Sequence, residues 1–152
     1  MDQMLVKKLT PLAHPPEKAT EGDLGYDLFC AEQTTIEPGA TLAVPTGIAV
    51  QFPSGWGAVI KDRSSMALKQ IHVSAGVIDN GYRGEIKVAL TNHSGKSVRL
   101  ELGQKMAQMI PVPVTNWEVA VVDQLSSTER GEGGFGSTGA HGPRNPAPPS
   151  EG

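Results

Sequence analysis

Ile86-Lys87-Val88-Ala89-Leu90 places apolar side chains at every second position, and Val98-Arg99-Leu100-Glu101-Leu102 repeats the pattern after the Ser94-Gly95 turn. Successive side chains of a strand point to opposite faces, so this period of two describes strands with one buried and one wetted face. Outward from this pair, further apolar and β-branched runs follow one another between turn residues. They are Leu5 to Leu9, Leu24 to Cys30, Thr41 to Phe52, Trp56 to Ile60, Met106 to Val114 and Trp117 to Val122. Pro38-Gly39, Pro53-Ser54-Gly55 and Asn80-Gly81 punctuate them, and Asn80-Gly81 is a pair that tolerates positive φ. Turn signals about every ten residues predict an antiparallel sandwich or barrel. One short helix is expected at Ser64-Ser65-Met66-Ala67-Leu68-Lys69, with hydroxyls where N-cap residues belong.

Composition agrees with this class. Of 152 residues, 18 are Gly and 12 are Pro, well above average usage, so the chain turns often and is poor in long helix. The length predicts one domain. A single Cys excludes an intrachain disulfide framework, and His14, His72, His93 and His141 show no metal-ligand spacing. No signal-peptide pattern or long apolar stretch is present, so a soluble cytoplasmic protein is expected, with no membrane partner. The formal net charge of −3, without basic runs, gives no reason to expect nucleic acid as a partner. A small anionic ligand remains compatible, because a few cations and backbone N–H groups suffice to hold one.

We therefore expect a β core over residues 1–125. From Ser126 onward no Val, Ile, Leu or Met occurs, and Phe135 is the sole Phe, Tyr or Trp. Such a segment buries too little to offset its ordering entropy and is expected to be mobile without a ligand. Residues 126–140 form a glycine-dense arm, and residues 141–152 a disordered Pro-rich tail.

Several constellations could carry chemistry. In Ala75-Gly-Val-Ile-Asp-Asn-Gly-Tyr-Arg-Gly-Glu85, a glycine-bracketed turn presents Asp79 near Tyr82, with the backbone at Gly76 open to a planar ligand. A carboxylate in a cleft can deprotonate water and a tyrosine ring can lie against a sugar, although a plain hairpin capped by Asp79 accounts for the same residues. Arg63-Ser64-Ser65 at a helix start offers a guanidinium, two hydroxyls and backbone donors to a phosphate, or is an ordinary cap. Arg130 to Gly139 suits a segment that closes over a ligand, with Arg130 on phosphate and Phe135 on a base; a flexible linker is the alternative. Gly22-Asp-Leu-Gly-Tyr-Asp27 carries two carboxylates that could order water around a cation or cap a turn. Gln108 is a polar residue in an apolar strand and could simply face solvent.

In this order, the five segments resemble the five motifs of the homotrimeric dUTP pyrophosphatases (dUTPases), over residues 20 to 139. Gly-Val-Ile-Asp-x-x-Tyr-Arg-Gly-Glu and Arg-Gly-x-Gly-Gly-Phe-Gly-Ser-Thr-Gly carry most of the resemblance. It implies an all-β distorted jelly roll with one short helix, forming a homotrimer with active sites shared between subunits. It implies hydrolysis of dUTP to dUMP and pyrophosphate with Mg2+ on the phosphates, which limits uracil in DNA and supplies dUMP for dTMP synthesis. Asp79 would activate water for in-line attack on the α-phosphorus. Tyr82 would support deoxyribose, and Gly76, Val77, Ile78 and the hairpin up to Lys87 would read the nucleoside. Arg63, Ser64 and Ser65 would hold phosphates, with Gln108 reaching them from a second subunit, and Arg130, Phe135 and Gly136 would close the site from a third. Asp27 would reach the metal through water.

Two motifs depart from the family pattern. Asp62-Arg-Ser-Ser65-Met-Ala stands for the usual Pro-Arg-Ser-Gly-Leu-Ala, and Gly103-Gln-Lys-Met-Ala-Gln for the common Gly-Asp-Arg-Ile-Ala-Gln. A dCTP deaminase or bifunctional relative on the same fold would need a catalytic Glu where Asp79 stands. A nucleotide-responsive regulatory protein would have no need of Asp79, Arg63 and a complete fifth motif.

Overall fold

The computed structural model describes residues 3–135. Its strands are β1 (Leu5–Lys8), β2 (Tyr26–Phe29), β3 (Thr34–Ile36), β4 (Thr41–Pro45), β5 (Ile48–Gln51) and β6 (Trp56–Lys61), followed by helix α1 (Ser64–Ala67). After the helix come β7 (Ile71–Val73), β8 (Val77–Ile78), β9 (Lys87–Asn92), β10 (Val98–Leu100) and β11 (Lys105–Pro113). All pairings are antiparallel. They form sheets ordered β1-β5, β10-β3, β2-β11-β6-β8 and β4-β9-β7. The result is the expected all-β architecture with one short helix.

The strand read first is β9. Val88 and Leu90 are fully buried and Lys87 is exposed, as the period of two requires. The alternation breaks at Thr91, which is buried on the opposite face, while the buried face continues into the polar Asn92, which is also fully buried. Its Nδ2 donates to the carbonyls of Ile36 and Lys96 at 2.8 Å, and its Oδ1 accepts the Ser94 N–H at 2.9 Å, which satisfies the amide inside the core. Val88 and Leu90 pack in one cluster with Leu28, Ile36, Ile48 and Met109.

Three strands lie outside the apolar runs of the sequence, namely β3, β7 and β8. Conversely, Trp117 to Val122, expected as a strand, forms none. The chain separates into one compact unit ending at Asn116 and a second beginning at Trp117. In the second unit Trp117, Val119, Val121 and Leu125 are all exposed. Apolar alternation marks a strand only where an edge pairs with it, and this segment makes no such pairing.

Two local expectations are corrected. The helix begins one residue earlier than the hydroxyls suggested: Arg63 is the N-cap and makes no side-chain cap hydrogen bond, so Ser64 and Ser65 occupy the first turn. Neither Asn80 nor Gly81 takes a positive φ. Asn80 instead donates from Nδ2 to the carbonyls of Pro53 (2.8 Å) and Trp56 (2.6 Å), which pins the turn to the loop before β6. Among the described residues, no helix is long and apolar enough to cross a membrane.

Candidate functional site

The sheet β2-β11-β6-β8 assembles both parts of the site. At one edge, β8 pairs Val77 with Val59 and Ile78 with Ala58. The Ile60 N–H donates to the Gly76 carbonyl at 2.7 Å. Gly76 has φ +153°, and a Cβ there would lie 2.8 Å from Ile60 Cβ and 3.0 Å from its carbonyl oxygen. The glycine is thus required by packing on β6 as well as by any approach of a ligand. Gly76→Ala should destabilise the chain by about 3 kcal/mol, from overpacking and backbone strain together, read by denaturant unfolding; a loss under about 0.5 kcal/mol would contradict this packing.

Beyond β8 the chain turns through Asp79 to Tyr82, with the Tyr82 N–H donating to the Asp79 carbonyl at 3.1 Å. Arg83 supports the turn from Nη1, reaching the carbonyls of Asn80 (2.7 Å) and Tyr82 (2.9 Å). The Tyr82 hydroxyl donates to the Glu85 carbonyl at 2.9 Å. Its ring lies where a Cβ of residue 84 would stand, so Gly84 makes room for it. Glu85 in turn accepts the Gly47 N–H at 3.0 Å and faces Lys87 at 3.7 Å. Gly76, Val77, Ile78, Asp79, Tyr82 and Lys87 all line one cleft of about 500 Å³. Every nucleoside-side residue expected from the sequence is therefore in one place, with an acid and an aromatic ring together.

A second cleft, of about 380 Å³, holds Asp27, Arg63, Ser64, Ser65 and Gln108. Strand register brings these residues together: on β11, Gln108 stands opposite Asp27 of β2 and opposite Lys61 of β6. Gln108 does not face solvent freely; its Nε2 donates to the Asp62 carbonyl at 2.8 Å. Gly25 permits this, because a Cβ there would meet Gln108 Oε1 at 2.6 Å. Asp27 is largely covered, with Arg63 Nε at 3.0 Å from one oxygen and Lys105 Nζ at 2.7 Å from the other. Its hydrogen bond to Lys105 raises that ammonium above its ordinary pKa. Lys105 reaches in from a β-bulge, where the β11–β2 register shifts between Lys105 and Ala107.

Asp23, the other carboxylate of this segment, caps a turn. Its pKa is lowered chiefly by the Thr20 hydroxyl, which donates at 2.7 Å, and further by the Thr20 N–H at 2.9 Å. Gln104, one of the departures, likewise serves a turn, accepting the Glu101 N–H at 3.0 Å.

The two clefts share no lining residue. In the second unit, Arg130 Nε donates to the Gly133 carbonyl at 2.8 Å, and Phe135 is fully exposed with φ +51°. Gly136 and the Pro-rich tail lie outside the described residues.

The dUTPase family profile matches residues 12–139. This chain belongs to the dUTPase family. It is 48% identical over 141 residues to the deoxyuridine 5'-triphosphate nucleotidohydrolase of Hydrogenobaculum sp. (strain Y04AAS1), covering 90% of this chain and 98% of the relative. It is 44% identical over 142 residues to the enzyme of the same name from Alkaliphilus metalliredigens (strain QYMF), covering 91% and 99%. Among solved structures, Staphylococcus bacteriophage 80alpha dUTPase with dUPNHPP superposes with TM-score 0.85 at 30% identity, covering 91% of this chain and 99% of that one. A mutant dUTPase from phage phi11 of S. aureus, described with a structural Mg(II) ion, gives TM-score 0.77 at 25% identity, covering 82% and 99%.

Within this dUTPase-family chain, sequence reasoning missed Lys105, Gly25 and Asp62. The first two stood inside recognised motifs but carry no chemistry-bearing pattern of their own. Their roles arise from strand pairing between distant segments.

Proposed function

We propose that this chain hydrolyses dUTP to dUMP and pyrophosphate by attack of an Asp79-activated water on the α-phosphorus. The observation that carries the reading is the pair of clefts, one uniting Asp79 with the Tyr82 ring and the other lined by Arg63, Ser64, Ser65 and Gln108, in a chain of the dUTPase family. Tyr82 lies under the deoxyribose, and the backbone at Gly76, Val77 and Ile78 with Lys87 faces the nucleoside. Arg63, with the hydroxyls and backbone N–H groups of Ser64 and Ser65 at the start of α1, holds phosphate oxygens. Asp79 takes the proton of the attacking water, while the cations stabilise the charge developing on the phosphates.

The donors present fit a metal that arrives on the substrate. Among the described residues, no three His, Cys, Asp or Glu side chains cluster as ligands, and both Asp27 oxygens face cations. We therefore assign Asp27 to placing Arg63 rather than to the water shell of a metal. Mg2+ bound on the triphosphate would neutralise part of its charge.

The active species is a homotrimer. Two clefts without a common residue, and the exposed Trp117, Val119, Val121 and Leu125, support sites completed by neighbouring copies. One copy contributes Asp79 and Tyr82, a second Gln108 with the phosphate cleft, and a third Arg130, Phe135 and Gly136 as the closing arm over 126–140. The same reading places the protein in the cytoplasm.

Incubation of the purified chain with Mg2+ and each deoxynucleoside triphosphate should give dUMP and pyrophosphate from dUTP alone. Ammonia released from dCTP, or no turnover of dUTP, would sink the assignment.

A further inference from the structure

α1 has only four residues, and an isolated turn of helix does not hold its own position. Its first residues nevertheless line the cleft with Arg63, so something outside the cleft must fix them. Of the helix's own side chains only Met66 is buried, and the N-cap Arg63 makes no capping bond. Arg63 is paired with Asp27 inside the cleft, and the residue that ties the segment down from outside it is Asp62, directly after β6.

Asp62 Oδ1 accepts the Val73 N–H at 2.6 Å, and Oδ2 meets His72 Nδ1 at 2.8 Å. Both carboxylate oxygens thus bind β7, on the far side of α1. The Asp62 carbonyl accepts Gln108 Nε2 at 2.8 Å, which fixes a residue of the cleft itself. The His72 ring is in turn neighboured by His93, with ring centroids 5.5 Å apart. Asp62 is absent from the cleft lining, so it acts through Ser64, Ser65 and Gln108. Burial alone would raise its carboxyl, but donation from the Val73 N–H and from His72 outweighs this and holds it below the usual carboxylate range. The tether is therefore an anion at neutral pH, and hydrogen bonds to an ionised acceptor are the stronger kind. A proline, usual in the family motif at this position, could make neither side-chain bond.

Resting on the dUTP reading above, we propose that Asp62, clamped to His72 and Val73 of β7, is a positioning residue that sets affinity for the triphosphate without taking part in the chemistry. Loss of the clamp loosens Ser64, Ser65 and Gln108, which hold phosphate in ground and transition states alike, whereas Arg63, whose charge acts in the transition state, keeps its ion pair with Asp27. Such a change raises KM and spares kcat.

The experiment compares wild type, Asp62→Ala and Asp62→Asn for dUTP turnover, and for inhibition by two fragments, inorganic tripolyphosphate and deoxyuridine. Asp62→Ala should raise KM for dUTP and weaken tripolyphosphate inhibition about tenfold, the scale on which an outer tether acts on the groups it orients. Its kcat and its deoxyuridine inhibition should stay within about twofold, since uniform binding alone is lost. Asp62→Asn keeps an oxygen for the Val73 N–H and should recover most of the loss. Unchanged tripolyphosphate inhibition, an equal loss for deoxyuridine, or no recovery in Asp62→Asn would overturn the proposal. His72→Phe removes one bond of the clamp and should show the same split at smaller size, which keeps the test open if Asp62→Ala does not fold. Failure of the wild-type chain to turn over dUTP would refute the functional reading instead.

Discussion

Asp79→Asn should lose about a thousandfold in kcat while retaining dUTP affinity within about threefold, because only the proton acceptor is removed. The hydrogen bonds that build the turn use the Asp79 carbonyl, the Asn80 amide and the Arg83 guanidinium, none of which the substitution alters. Asparagine matches aspartate in shape, so the turn and the Tyr82 ring beside it should stay in place. A factor of a thousand corresponds to about 4 kcal/mol of transition-state stabilisation, within the range that one positioned base supplies. Single-turnover hydrolysis and equilibrium binding of a non-hydrolysable dUTP analogue separate the two quantities. A variant with kcat within tenfold of wild type would remove Asp79 as the base. Equal losses in kcat and affinity would point to a collapsed turn.

That Asp79 and Tyr82 could be paired from sequence follows from their separation along the chain. They sit at the two ends of one turn, so local rules of chain reversal bring them together. The second cleft, lined by Asp27, Arg63, Ser64, Ser65 and Gln108, was legible only as fragments. Arg63, Ser64 and Ser65 adjoin one another, but Asp27 and Gln108 join them through the register of β2, β11 and β6. Pairing between distant segments has no local signature, which is why Gln108 could equally have faced solvent and why nothing in the sequence singles out Lys105. The same holds for the fold. The alternation of β9 announces a half-buried strand. The two residues of β8 and the three of β7, one of them His72, become strands only because β6 and β9 offer them edges. Trp117 to Val122 shows the converse, an apolar run that finds no edge within its own chain. In the sequence Asp62 is only a departure from a motif, and its purpose is visible once β7 is seen beside it.

Two inactive variants should restore activity to one another. Arg63→Ala removes the guanidinium from the phosphate cleft and leaves Asp27 facing Lys105 alone, and should cost about a hundredfold or more in kcat/KM. Asp79→Asn is inactive by the argument above. Mixed in equal amounts, unfolded and reassembled, the two chains should regain about a quarter of wild-type activity if each site draws Asp79 and Arg63 from different copies, since half the copies supply each intact residue. If one chain supplied both residues to a site, every site would carry one lesion and the mixture would stay at the level of its components. The clefts on a single chain share no lining residue, which favours the first outcome. The experiment also separates association from shared chemistry. A trimer seen by light scattering together with a mixture that stays inactive would mean that copies assemble without completing one another's sites, whereas recovery near a quarter requires that the Asp79 base and the Arg63 guanidinium meet across a subunit boundary.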